Sequence, residues 1–318
     1  MPTNTMWIIY RVYTSGSKRD VRKVVKRIFG ETTLTPLSSY GHPYTPPVGV
    51  PVDPTVDTKT TPLAQVKNMD ACAFFGTLAA LLQTNPPLPA DAKTVASFKS
   101  IGLVPGQPFD CGQLNATTRA ALQLAVRVTS TLLPRAPQPS PTKTGWSLPL
   151  DVGSYGTQYV LRAIIAQKAL GANRPEDAVY GGATIDSNGD PLSGANQYTI
   201  HFKPQTSKNK RGELPPVNAG GFWSVTLYNL PDENLYDNSI DRTALGIPLV
   251  GNHSVCFNPD KSLTLYVQHD PPPDTSSIEY CNWIPAPTGD YLLFLRMYWP
   301  DQVVLDGKWI PPAVKKMK

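Results

Sequence analysis

The sequence has little of what most often carries chemistry. It holds four cysteines and four histidines in 318 residues. Cys72, Cys111, Cys256 and Cys281 form no CxxC pair, which removes the common zinc and dithiol spacings. His42, His201, His253 and His269 show no metal-ligand spacing. There is no HExxH, no GxSxG elbow, no Walker loop and no GxGxxG after a strand. No metal and no nicotinamide, flavin or nucleotide cofactor is therefore expected. No apolar window reaches the roughly 20 residues of a membrane-crossing helix. Met1 to Arg11 lacks a basic stretch followed by an apolar run, so the expected setting is cytoplasmic. A net charge of +5 is too modest to demand a nucleic-acid partner.

What is present is proline and a packable core. Hydrophobic residues make up 41% and charged residues 17%, which argues against disorder. The 34 prolines are about twice the usual share of roughly 5%, so many turns and strand rims are expected. Cys72 and Cys281 lie in or beside apolar runs, the setting of buried free thiols. Two disulfides are an alternative that the low cysteine density does not require.

Three regions follow from the periodicity. Residues 1–60 hold a branched, aromatic run, "TMWIIYRVY" at 5–13, read as a strand. After it comes "KRDVRKVVKRIFG", with Val21, Val24, Val25, Ile28 and Phe29 at helical spacing and Gly30 as the stop. Its basic face is a surface for anions or membranes, or simply a solvated helix face. A proline-rich strap at 40–61 closes this region.

Residues 61–175 read as four helices. One long helix starts from a Thr61 cap with Pro62 at its first position. A short one spans "PADAKTVASFKSIG", one starts from Asn115, and one runs from Ser154 to a Gly171 stop.

In 176–318 the period changes from 3.6 to 2. "NQYTIHFKP", "GFWSVTLYN", "SLTLYVQHD" and "DYLLFLRMYW" read as strands between clusters of Pro, Gly, Asn and Asp. The fold class is α+β: a C-terminal antiparallel β-sandwich of jelly-roll type, a helical N-terminal half and a remnant N-terminal strand.

The succession "LGANRPEDAVYGGATIDSNGDPLSGANQYTIHF", "ELPPVNAGGFWSVTLYN", "KSLTLYVQHDPP" and "NWIPAPTGDYLLFLRMYWPDQVVLDGKWIPPAV" resembles the bacterial and fungal family of paired domains of unknown function catalogued as 1254 and 1214. The likeness to the second domain spans about 160 to 314. "TNTMWIIYRVYTSG" and "TPLSSYG" resemble the end of the first domain. The family's earlier strands, with an "RPNVDTLY"-like segment, have no counterpart here, so this is either a shortened member or an incomplete N-terminal sandwich. The loop "KPQTSKNKRGELPP" at 203–216 is longer and more basic than the family's short turn. The resemblance implies a jelly-roll sandwich with an inserted helical segment, and little about activity.

Alternation sorts the strand faces. Leu263, Leu265, Val267 and His269 share one face of their strand, as do Tyr291, Leu293, Leu295, Met297 and Trp299 of theirs. These are the core faces. The opposite, mixed faces carry Thr226, Tyr228, Tyr266, Gln268, Arg296 and Tyr298. Such a surface is either the wall of a small-molecule site or the seat of packed helices. Arg296, if buried, needs a partner: a substrate carboxylate, or Asp270 or Glu279. His269 is a rim histidine or a general base. Trp283, in a rigid "CNWIPAP" loop, plugs the sandwich end or touches ligand.

The function expected from this is a cofactor-independent small-molecule enzyme of isomerase or lyase type. An instance is the intramolecular cyclisation or cycloaddition of a lipophilic biosynthetic intermediate in an aromatic-lined cavity. Its catalytic candidates are Arg296, Tyr298 and His269. Its substrate-binding candidates are Tyr228, Thr226, Tyr266, Gln268, Trp283 and Trp223. A non-catalytic ligand-binding or assembly sandwich is the first alternative, and a hydrolase with a dispersed triad the second. The partner is a lipophilic small molecule, and whether the chain forms a homo-oligomer is left open.

Overall fold

The computed structural model describes residues 7–9, 12, 17–46, 48, 54, 56–133, 141–206, 212–247 and 253–317 of the chain. Two compact units make it up, Met1–Arg135 and Ala136–Lys318.

The first unit is helical. A run of helix from Lys18 to Glu31 contains a π turn at Val21–Val25 and continues through Gly30. Gly30 is thus not the stop that its position suggested. Of the strand expected at 5–13, residues 7–9 and 12 are not in a strand, and the rest lie outside the described residues. Parts of the strap at 40–61 and of the 203–216 loop also lie outside them.

Thr61 caps helix Pro62–Asn68 by accepting a hydrogen bond from the Ala64 N–H. The single long helix expected from there is two. The Asp70 carboxylate accepts from the Ala73 N–H at 2.8 Å and starts a second helix, Ala71–Thr84. A side-chain oxygen that offers the backbone a cap here outcompetes helix continuation. Asn115 caps Ala116–Leu132 through the Thr118 N–H at 2.8 Å. That helix touches Ala71–Thr84, and the Gln123 side chain accepts from the Ala71 N–H at 3.0 Å.

All four cysteines are bonded, Cys72 to Cys111 and Cys256 to Cys281. The expectation of free thiols at Cys72 and Cys281 is overturned. The pairs join residues 39 and 25 positions apart in sequence, a juxtaposition that no local pattern signals.

The second unit is the sandwich. A ten-residue helix in it runs Tyr159–Lys168, starting later than the Ser154 that was expected. The strands are β1 (Ala178–Ala183), β2 (Tyr198–Phe202), β3 (Val217–Asn229), β4 (Ala244–Ile247), β5 (Leu263–Gln268), β6 (Trp283–Pro285), β7 (Tyr291–Pro300) and β8 (Val314–Lys316). The first sheet has the order β1-β7-β3-β4 and the second β6-β5-β2-β8. Neighbours are antiparallel except β5 and β6, which are parallel. The "CNWIPAP" segment therefore supplies a short strand, not only a loop.

The two sheets share one core. Val225, Leu227, Leu293, Leu295 and Met297 from the first face Ile200, Leu263, Leu265, Val267 and Ile284 from the second, all buried. Aromatic contacts join the sheets at both ends. Phe202 meets Trp223 at 5.6 Å between ring centres, and Tyr198 meets Tyr291 edge-on at 6.2 Å. Burial pushes the Tyr291 hydroxyl far above the ordinary tyrosine range, and neighbouring Tyr198 adds to the shift. Tyr291 is thus a neutral core ring.

Alternation along β7 holds for Tyr291, Leu293, Leu295 and Met297, and fails at Trp299. Its φ of 54° is left-handed, and the ring is 55% exposed instead of in the core. The Trp299 N–H reaches the Asp177 carbonyl at 2.8 Å, and the Asn218 amide donates to the Trp299 carbonyl at 3.2 Å. These bonds hold a conformation that a bulky residue rarely adopts.

Candidate functional site

The outer face of the first sheet is built by register. Across β3 and β7, Phe222 pairs with Tyr298, Ser224 with Arg296 and Thr226 with Phe294. Tyr180 of β1 pairs with Arg296 from the other side. Paired residues share a face, and Tyr228 lies on it two residues beyond Thr226, so three strands place five rings and one guanidinium together. A break in register between Val217 and Phe222 precedes this patch. There Gly220 takes φ 90°, and a Cβ on Gly221 would lie 2.6 Å from the Tyr298 carbonyl oxygen. Only glycine lets β3 bulge so close to β7.

Arg296 lies over the Phe294 ring, its guanidinium carbon 4.6 Å from the centroid, and 5.4 Å from the centroid of Tyr228. Its Nη2 donates to the Tyr228 hydroxyl at 2.6 Å. That phenol is the partner, in place of the Asp270 or Glu279 carboxylate expected. Below it, Phe222 and Tyr298 stack at 4.2 Å with an interplanar angle of 16°. Tyr180 meets Tyr298 edge-on at 6.0 Å and Phe294 at 5.9 Å. Ser224 and Thr226 are buried among these groups. Tyr180, Tyr228, Phe294, Arg296 and Tyr298 remain partly exposed, and Phe222 is 37% exposed.

The other candidates are elsewhere. Trp223 points the opposite way, into the core against Phe202, and cannot line this face. Tyr266, Gln268 and Trp283 belong to the second sheet, so the single mixed surface expected from the sequence is two surfaces on opposite sides of the sandwich. On that second face the polar groups are already engaged. The Gln268 amide donates to the Asp270 carbonyl at 2.7 Å, and the Trp283 indole N–H donates to the Gln268 carbonyl at 2.8 Å. Burial first, and then the nearby Glu279 charge, raise the Tyr266 phenol above its ordinary value, and a Thr264 hydrogen bond opposes the shift. His269 is tied through Nδ1 to the Ala286 carbonyl at 2.8 Å, far from Arg296 in the fold. It is a rim histidine, without the geometry of a base for the ring cluster.

Two residues missed by sequence reading organise the second face. Arg242 is 6% exposed. Its Nη1 donates to the carbonyls of Tyr280 at 2.7 Å and Trp283 at 3.0 Å. Burial lowers its pKa, and the Tyr280 phenol opposes the shift. Asn282 is fully buried. It accepts from the Cys256 N–H at 2.8 Å and donates to the Cys256 carbonyl at 2.7 Å, beside the Cys256–Cys281 bond. Their signal is faint: Arg242 sits in a polar, turn-like stretch where surface residues are the usual expectation, and Asn282 is a single amide between Cys281 and Trp283 whose partner lies 26 residues away.

A dispersed hydroxyl–histidine pair does exist, with His201 Nδ1 2.9 Å from the Thr264 hydroxyl. Asn258 also donates to that oxygen, at 3.3 Å, and Thr264 is buried, which suits a structural network. Among the described residues no group of three or more His, Cys, Asp or Glu could hold a metal ion. No described helix is long and apolar enough to cross a membrane. The first unit has a shallow crevice of about 240 Å³ lined by groups such as Lys67, Asp70, Gln123 and Arg127, with no aromatic ring.

Residues 177–302 match the family model of a protein of unknown function, DUF1214. That span runs from the residue before β1 to the residue two beyond β7, and so contains the whole ring cluster. Among solved structures, the chain is similar to the VPA0106 protein from Vibrio parahaemolyticus, with a TM-score of 0.52 and 20% identity. The alignment covers 95% of this chain and 66% of that one, so the chain spans just under two thirds of that relative. An uncharacterised Burkholderia cenocepacia protein is 14% identical at a TM-score of 0.28, over 71% of this chain and 48% of that one. No curated protein matches the chain. At 20% identity the likeness to the Vibrio protein concerns the fold alone.

Proposed function

We propose that the sandwich is a small-molecule binding module whose site is the outer face of the first sheet. One observation carries the reading: five half-exposed rings surround Arg296 on rigid strands, backed by a filled core. Such a face offers apolar area with a few directed donors, the usual make-up of a ligand site. The enzyme reading, a cyclisation by an isomerase- or lyase-type mechanism on a biosynthetic intermediate, would use the same rings to hold a reactive conformer. It has less support, because His269 is engaged elsewhere and the remaining polarity at the face is the hydroxyls of Tyr180, Tyr298, Ser224 and Thr226 beside Arg296 and Tyr228, with no described group there suited to act as a base near neutral pH.

The compartment also enters the proposal. The sequence suggested the cytoplasm, but two disulfides favour an oxidising compartment. Pairing of this sandwich with a 1254-type N-terminal domain rests on the "TNTMWIIYRVYTSG" and "TPLSSYG" segments and is likewise proposed.

The test is ligand-observed NMR with a panel of neutral, flat lipophilic compounds. Binding is expected for the parent protein and loss of it for Phe222→Ala and Phe294→Ala, with unfolding midpoints recorded for each. Equal binding by both variants would place the site elsewhere.

A further inference from the structure

The ring cluster leaves one charge unbalanced. Among the described residues Arg296 has no carboxylate partner; its hydrogen bond is the one to the Tyr228 hydroxyl. A guanidinium carries five N–H donors in a planar fork, so most of the fork is uncommitted. The Phe294 and Tyr228 rings beneath it and the rigid strand fix its direction. Because the Tyr228 oxygen accepts from Arg296, its own O–H proton is left to donate outward. Two donors, one charged and one neutral, then converge above an aromatic floor. Half-burial makes an uncompensated cation costly, and an arriving anion relieves that cost.

We infer that the ligand of this face is a planar organic carboxylate on a flat, unsaturated or aromatic body. The carboxylate takes the Arg296 fork and the Tyr228 hydroxyl in a two-point arrangement. The body of the ligand lies along the Phe222–Tyr298 stack, next along β3 and β7. The planar fork favours a carboxylate over a bare tetrahedral anion, which has no flat body to cover the rings. This inference rests on the binding face proposed above and adds the chemical class of its occupant.

Calorimetric titration of the full chain with trans-cinnamate, its neutral amide and inorganic phosphate separates the two claims. Cinnamate is expected to bind at least about tenfold more tightly than the amide, as loss of a charge-assisted hydrogen bond implies. Phosphate is expected to be weaker still. Arg296→Gln should abolish the preference for acid over amide, and Tyr228→Phe, which removes a single hydroxyl, should reduce it severalfold. If acid and amide bind alike, or if the preference survives both substitutions, the carboxylate inference is wrong while the binding face stands. If neither compound binds, both fall. Phosphate binding as tightly as cinnamate would also overturn the inference.

Discussion

The two outer faces of the sandwich have similar sequences and different fates. Strands β3 and β7 of the first sheet show Thr or Arg between apolar neighbours, and β5 of the second shows Thr and Tyr in the same way. On the second face four polar side chains hold backbone partners. Arg242 holds two carbonyls, Asn282 clamps Cys256, and the Trp283 indole and the Gln268 amide each hold a carbonyl. On the first face the polar groups meet each other and rings, and Arg296 keeps donors to spare. A mixed strand face thus says that polar groups must be satisfied. Whether the chain or a ligand satisfies them depends on segments such as 256–258 and 278–282, where Asn282 holds Cys256 and both Asn258 and Asn282 bond to β5 on the second face.

If that contrast is right, substitutions on the second face should damage stability and spare binding. The largest effect is expected from Cys256→Ser with Cys281→Ser. The bond closes a separation of 25 residues, and its loss should cost about 3–4 kcal/mol in denaturant unfolding by the loop-entropy relation. Asn282→Ala comes next. It strands the Cys256 N–H and carbonyl in a buried site, for a loss of about 2–3 kcal/mol, with cinnamate affinity unchanged. On the first face, Gly221→Ala reverses the pattern. Its Cβ forces the bulge away from the Tyr298 carbonyl, which should cost about 1–2 kcal/mol but weaken ligand binding because Phe222 moves off Tyr298.

The smallest effect concerns acid. The Ser262 hydroxyl and N–H hold the Asp260 carboxylate below its ordinary value of 3.8. A depressed folded-state pKa stabilises above the unfolded value and is lost as pH falls through the folded one. Asp260→Asn should therefore lower stability slightly at neutral pH and leave it unchanged in strong acid. An equal deficit at both pH values would argue against the ionic contribution.

The core was the most legible part of the sandwich. Period-2 alternation assigned Leu263, Leu265, Val267, Leu293, Leu295 and Met297 to it correctly, because burial on one face leaves the other free to vary. Trp299 escaped because a left-handed residue breaks the alternation, and nothing in "RMYWP" marks it. The site was half legible. Arg296, Tyr298, Thr226 and Tyr228 do share a face, since local alternation is enough to group them. Tyr266 and Gln268 read as part of the same surface because alternation cannot tell which of two sheets a strand joins. Tyr180 and Phe294 complete the cluster through β1–β7 pairing, a long-range register that periodicity does not contain. The disulfides and the Asn282 clamp are likewise products of chain return.

The central claim is that the first outer face binds while the second only supports. Selective 13C labelling of tyrosine, with trans-cinnamate added stepwise, tests it most directly. The resonances of Tyr180, Tyr228 and Tyr298 should shift in a saturable manner, and those of Tyr266 and Tyr280 should stay in place. Shifts centred on Tyr266 and Tyr280, with the first-sheet tyrosines unmoved, would contradict the account.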